Sequence, residues 1–147
     1  MNIIKATIEN LEQLLPLFEA YRKFYKQSSN TEFARDFLID RFNKKDSILF
    51  MAFNNEKEAI GFTQLYPTFS SVTMEQTYIL NDLFVTSNSR GSKVGEKILN
   101  HAKQFVIKNN FKGLTLETDF NNPAQELYER LGWKKDTNVL HYTWLNK

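Results

Sequence analysis

An apolar run from Tyr78 to Val85, readable as a strand, passes through the turn Asn88 to Gly95 (NSRGSKVG) into a stretch patterned as a helix. That junction narrows the choice of fold more than any other segment, because it commits the chain to a sheet layered against a helix. It also carries chemistry. The first backbone N–H groups of a helix have no partners within it, and with the helix dipole they attract an anion such as a pyrophosphate. Gly91 and Gly95 allow close backbone approach, and Arg90 adds a fixed positive charge. Taken alone, the same residues also fit an ordinary basic surface loop.

The rest of the chain extends this pattern. Ile3 to Ala6 reads as a first strand. A helix follows, with Asn10 and Gln13 in capping-box positions, Leu11, Leu14, Leu15, Phe18, Tyr21 and Tyr25 at helical spacing, and Pro16 as a kink. Glu32 to Phe42 repeats the pattern as a second helix. Ser47 to Phe53 and Ala59 to Tyr66 form a hairpin about the turn Asn54 to Lys57, Tyr66 to Ser71 (YPTFSS) reads as a loop, and Thr73 to Val85 is a third strand of the group with a bulge. A long helix from Val94 ends near Asn109 and Asn110, and Leu114 to Thr118 is the next strand. Asn122, Pro123 and Gly132 punctuate a short helix. Trp133 to Lys135 and Val139 to Leu145 are expected as two closing strands. The expected fold is a mixed α/β layer structure, with no linker or repeat dividing residues 1–147 into more than one domain.

Composition removes several function classes. With no cysteine, the chain has no disulfide, thiolate metal site or cysteine nucleophile, which fits a reducing compartment. No apolar run approaches the roughly 20 residues that span a bilayer, and the amino-terminal stretch lacks a signal pattern, so a cytoplasmic protein without a membrane partner is expected. A net charge of +2 does not argue for nucleic acid. His101 and His141 lack ligand spacing, so no metal is expected. Core packing is the default role for most of the 13 phenylalanines.

Three motifs fall in order: YILNDLFV, then RGSKVG opening a helix, then NNPAQELYERLGW after another strand. This order resembles the GNAT superfamily of acyl-CoA-dependent N-acyltransferases over nearly the whole chain, and looks similar to the branch with polyamine and histone acetyltransferases. The resemblance implies a central, mostly antiparallel twisted sheet flanked by helices, and acetyl-CoA as co-substrate. It places the coenzyme A pyrophosphate on Arg90, Gly91, Ser92, Lys93, Val94, Gly95 and Glu96. Lys93 stands where the family pattern RxxGxG has its first glycine, and its amide is expected to donate from a helical backbone. Leu83, Phe84 and Val85 would pair with the pantetheine arm, one N–H polarising the thioester carbonyl. Asn121, Ala124 and Tyr128 match NxxAxxxY, with Asn121 beside the arm and Tyr128 as general acid at the thioester sulfur. A phenol with a reference pKa of about 10 suits that role.

The reaction implied is direct attack of a neutral primary amine on acetyl-CoA through a tetrahedral intermediate. An amine with a lysine-like pKa is neutral to roughly one part in 2,500 at pH 7, a penalty of about 4.6 kcal/mol, so a base is expected. Asp82 is the catalytic candidate, with Glu117 as second choice. Asn81 occupies the slot where the polyamine branch has a glutamate. Tyr21, Tyr25, Tyr66, Phe69, Asn81 and Glu117 are the expected contacts of a small-molecule amine acceptor. The alternatives are a protein or peptide acceptor, and a non-catalytic acyl-CoA sensor or interaction module. The alternating Leu140, Tyr142 and Trp144 suggest an edge strand and a homodimer.

Overall fold

Side-chain alternation decides which layer each strand residue serves. In β2 (Ile48–Phe53), Leu49 and Met51 enter a core shared with α1 (Leu11–Phe24) and α2 (Thr31–Lys44). Phe50 and Ala52 turn the other way, towards α3 (Val94–Lys108), where the Phe50 ring meets His101 at 4.6 Å and Ala52 packs with Ile98. With β1 (Asn2–Lys5), β3 (Ala59–Ser70), β4 (Glu75–Val85) and β5 (Leu114–Thr115), the result is a five-stranded sheet in the order β1-β2-β3-β4-β5. It is antiparallel except for the parallel β4–β5 pair. The computed structural model describes residues 1–147. They form two units, Met1–Glu117, which holds this sheet and its three helices, and Thr118–Lys147, which holds α4 (Ala124–Arg130).

The local signals mostly act as expected, with informative exceptions. The capping box lies one turn earlier than Asn10 and Gln13. Thr7 Oγ1 accepts from Glu9 N–H at 3.3 Å and Asn10 Oδ1 accepts from Thr7 N–H at 2.9 Å, closing a short 3-10 turn before α1. Helix α1 runs on through Pro16, whose missing N–H leaves only the carbonyl of Glu12, in the first turn, without its bond. YPTFSS is not a loop: β3 continues to Ser70 and pairs with β4 as far as Ser70–Glu75, so the chain reverses at residues 71–74. Threonine and aromatic residues suit an extended hairpin, and Pro67 is tolerated there because its missing N–H costs only one ladder position.

Two further expectations are corrected. β5 ends at Thr115, not Thr118. Neither Trp133 to Lys135 nor Val139 to Leu145 is a strand. Leu140, Tyr142 and Trp144 are 81%, 89% and 84% exposed, so no buried face holds a register, and without a neighbouring ladder the alternation alone does not make a strand. In the second unit, Asn122 does cap: its Oδ1 accepts from Ala124 N–H at 2.9 Å, and Gly132 follows α4 in the left-handed region.

Candidate functional site

The pairing of β4 with β5 covers only Tyr78–Leu114 and Ile79–Thr115, whereas β4 runs on to Val85. From Leu80 onward, no strand lies along that edge. Which backbone groups face it follows from their partners. Asp82 C=O accepts from Thr63 Oγ1 at 2.7 Å and Thr86 N–H donates to Ile60 C=O at 2.9 Å, so the even-numbered residues face β3. The alternate residues, Leu83 and Val85, therefore direct N–H and C=O to the unpaired edge. Phe84 is separated from them: its ring lies in the α1 core and its backbone faces β3, where a Cβ on Gly61 would meet Phe84 O at 2.9 Å.

A bulge sets the opposite end of this edge. The β3–β4 register shifts between Gln64 and Leu65, whose partners are Asp82 and Leu80, which leaves Asn81 as the extra residue. The shift brings a polar group into the sheet interior. Asp82 is only 4% exposed, and its Oδ2 accepts from Gln64 Nε2 at 2.7 Å while its Oδ1 accepts from Asn81 Nδ2 at 2.8 Å. Burial pushes the Asp82 carboxyl above the usual range, against the lowering effect of hydrogen bonds from Gln64, Asn81 and Tyr21. Tyr21, on α1, reaches across with its hydroxyl to the Asn81 carbonyl at 3.2 Å. Burial first, and the Asp82 charge second, hold the phenols of Tyr21 and Tyr66 far above their ordinary value, so both remain protonated donors.

The acceptor-side candidates divide. Tyr21, Asn81 and Asp82 touch one another, and Tyr66 feels the Asp82 charge. Tyr25 packs on Tyr21 at 5.1 Å and Phe24 at 5.2 Å, extending an aromatic patch at the end of α1. Phe69 is not part of this group. Five residues beyond Gln64 it lies about 17 Å along the strand, on the opposite face and 73% exposed. Glu117 is exposed, two residues past β5. Gln64 escaped the sequence reading because an isolated glutamine within an apolar run carries no motif. Its place opposite Asp82 is a register fact that appears only once β3 and β4 are paired.

The turn before α3 has the form of an anion cradle with an unusual backbone. Gly91 has φ +85, and a Cβ there would meet nothing within 4 Å. Lys93, the residue preceding α3, is left-handed with φ 61 and ψ 22, not helical as expected. That conformation explains why a glycine suits the position, since only glycine takes it without steric cost. The first intrahelical bond is Lys97 N–H to Lys93 C=O at 3.1 Å, so the amides of Val94, Gly95 and Glu96 precede it. Arg90 does not lie over the turn. Its Nε donates to Val85 C=O at 3.1 Å, and its guanidinium sits 5.7 Å from the Phe84 ring and 5.9 Å from the Phe24 ring. Ser92 N–H is used within the turn, reaching Ser89 C=O at 3.4 Å.

In the second unit Asn121 is exposed, Ala124 begins α4, and the Tyr128 ring lies 6.0 Å from Trp133. No group of histidine, cysteine or carboxylate side chains is arranged to hold a metal, and no helix is long and apolar enough to cross a membrane.

Residues 14–133 match the acetyltransferase (GNAT) family. An uncharacterized N-acetyltransferase, YhfO, of Bacillus subtilis is 45% identical over 143 residues, 97% of this chain and 95% of that protein. The D-amino-acid N-acetyltransferase HPA3 of Saccharomyces cerevisiae is 31% identical over 127 residues, 82% of this chain and 76% of that protein. The crystal structure of a probable acetyltransferase superposes with a TM-score of 0.94 at 37% identity, covering 100% of this chain and 99% of that one.

Proposed function

The chain belongs to the acetyltransferase (GNAT) family, and from that premise we propose that residues 1–147 form one catalytic domain that acetylates the primary amine of a small molecule, with Asp82 as the base. The family uses acetyl-CoA as co-substrate, and the fold and homologues make this chain an N-acetyltransferase. The observation that carries the finer reading is the juxtaposition at β4: a strand edge left unpaired at Leu83 and Val85, directly beside a buried carboxyl raised by burial.

Each residue has a defined task. The Leu83 N–H and C=O and the Val85 N–H offer an extended ladder to the amides of a pantetheine arm, the Val85 carbonyl being taken by Arg90 Nε, and the outward N–H of Leu83 polarises a thioester carbonyl. Asp82 takes the proton from the acceptor ammonium, which offsets the penalty of attack by an amine that is almost wholly protonated at neutral pH. A carboxyl raised towards neutrality is better matched to that transfer than an ordinary surface aspartate. Tyr21 and Asn81 flank the acceptor nitrogen, and the aromatic patch of Phe24 and Tyr25 offers a wall for an organic cation. The amides opening α3 hold the pyrophosphate. Tyr128 donates the proton to the departing thiolate, a role supported by its match to the family spacing and by the chemistry of a phenol. Attack is direct and requires no acetyl-enzyme, and the chain has no cysteine thiol to act as an acyl carrier.

A small acceptor is supported by the D-amino-acid N-acetyltransferase, whose named substrates are small amines. The exposed alternation of Leu140, Tyr142 and Trp144 supports a homodimer in which that segment pairs with a second copy, and the absence of cysteine supports a cytoplasmic setting. The test is thiol release from acetyl-CoA against amino acids, polyamines, aminoglycosides and peptides, followed by the pH profile of kcat/KM for Asp82→Asn with the best acceptor. Loss of the acidic limb supports the assignment. An unchanged limb refutes it, and turnover confined to peptides refutes the small acceptor.

A further inference from the structure

Gln64 is the feature that the proposed reaction has not used. Its side chain is fully buried, at 0% exposure, in the middle of β3. Its Nε2 donates to Asp82 Oδ2 at 2.7 Å, yet its Oε1 is buried with no hydrogen-bond partner. A buried amide with an orphan oxygen weakens a fold, so packing alone does not account for the residue. Its neighbours on the same face of β3 are Phe62, which serves the α1 core, and Tyr66, whose phenol feels the Asp82 charge.

Resting on the reading of Asp82 as the base, we propose that Gln64 is the positioning residue for that base, hydrogen-bonding the carboxyl in both of its protonation states. With the carboxylate, the amide N–H donates to Oδ2, as observed. When the N–H bond of the acceptor breaks and an O–H forms on Asp82, the amide turns about its terminal bond. The orphan Oε1 then accepts from the new O–H. A glutamine serves both states because it carries donors and an acceptor on one rotor. The bulge makes the contact possible, since it sets Gln64 and Asp82 directly opposite each other and moves Asn81 out of register. Asn81 Nδ2 holds the other carboxylate oxygen, and Thr63 Oγ1 fixes the Asp82 carbonyl, so the carboxyl has little freedom except in its partner Gln64.

The other groups facing this carboxyl are the phenols of Tyr21 from α1 and Tyr66 from β3, both protonated throughout the working range. Arg41 and Asp46 act on Tyr66 from beyond it and are themselves paired at 2.8 Å. Neither phenol titrates in that range in place of Asp82.

The experiment compares wild type with Gln64→Met and Gln64→Glu, reading the pH profile of kcat/KM and the carbon-13 titration of the Asp82 carboxyl. Methionine keeps the volume and removes both bonds; the bond to the ionised carboxylate is the stronger of the two, so the acidic limb and the Asp82 titration should both rise by about one pH unit, with KM for acetyl-CoA unchanged. Glutamate places a second carboxyl against the first, and the shared proton should move the limb higher still. Circular dichroism checks folding, and if Gln64→Met fails to fold, Gln64→Glu carries the test. An Asp82 titration that does not move in the folded variant overturns the proposal, even where Asp82→Asn abolishes the limb. Should Asp82→Asn retain the limb, the base assignment fails, while the carboxyl titration still decides whether Gln64 holds Asp82.

Discussion

Replacing Lys93 with glycine should make the protein more stable. Lys93 sits at φ 61 and ψ 22 immediately before α3, exposed and without a side-chain capping bond. An L-residue with a Cβ loses roughly 1–2 kcal/mol in that conformation. Glycine avoids this loss but gives the unfolded chain more freedom, at a cost of about 0.4–1 kcal/mol. The difference is a net gain of about 0.8 kcal/mol, or 2–3 °C in Tm for a chain of this length. Lys45→Gly is the control. Lys45 has φ 52 and ψ 39 at the end of α2, so it should show the same gain while leaving acetyl-CoA binding untouched. At position 93 a second effect is superimposed. If the ammonium meets a phosphate, its removal weakens acetyl-CoA by roughly two- to fivefold at low salt, the value of an exposed ion pair, and the loss fades as salt rises. Thermal melts and calorimetric titrations in a salt series read both effects. A lower Tm for Lys93→Gly alongside a higher one for Lys45→Gly would refute the backbone argument, and an unchanged affinity and salt slope would remove the ionic role.

Further outcomes follow from other parts of the structure. Gly61→Ala should destabilise by about 1–3 kcal/mol, because the new Cβ meets Phe84 O at 2.9 Å and Ile98 Cδ1 at 3.1 Å; a urea midpoint equal to wild type would show that the β3–β4–α3 contact yields freely. Asp82→Asn should lower kcat yet raise stability at pH 7 by about 1 kcal/mol, since it removes a buried charge. The Asp82 carboxyl is raised in the folded state, so the wild type loses stability as pH climbs from the unfolded pKa through the folded one, and the advantage of the variant should vanish below about pH 3.8. Glu19 has the opposite sign. Burial pushes it up, but hydrogen bonds from Arg22 at 2.7 Å, Asn30 N–H at 2.8 Å and Ser29 at 2.9 Å prevail and hold it below the usual range. Its contribution is present above the unfolded pKa and lost as pH falls through the folded one, so Glu19→Gln should cost about 1–2 kcal/mol at pH 7 and nothing near pH 2, measured by denaturation at each pH.

What was legible in the sequence was whatever depends on periodicity and punctuation. The strand–turn–helix junction, the two amphipathic helices before β2, and Asn122 as the cap of α4 are local signals read from neighbouring residues. The features that build the candidate site are pairing facts. That Leu83 and Val85 face an unpaired edge depends on where β5 stops, and that Gln64 lies opposite Asp82 depends on a one-residue shift in register. A bulge inverts which residues face outward, so no reading of β4 alone could assign its edge. The closing strands failed for the same reason: alternation at Leu140, Tyr142 and Trp144 specifies a face, but a strand needs a neighbour. Lys93 is the reverse case, where a departure from a motif was visible and its backbone meaning was not. With only five glycines in 147 residues, the chain also places Lys26, Lys45 and Lys57 at positive φ. Lysine before α3 is therefore part of a wider habit of using long, exposed cations at left-handed positions. If so, its presence in the cradle says little about coenzyme A, and the salt dependence of Lys93→Gly decides between habit and function.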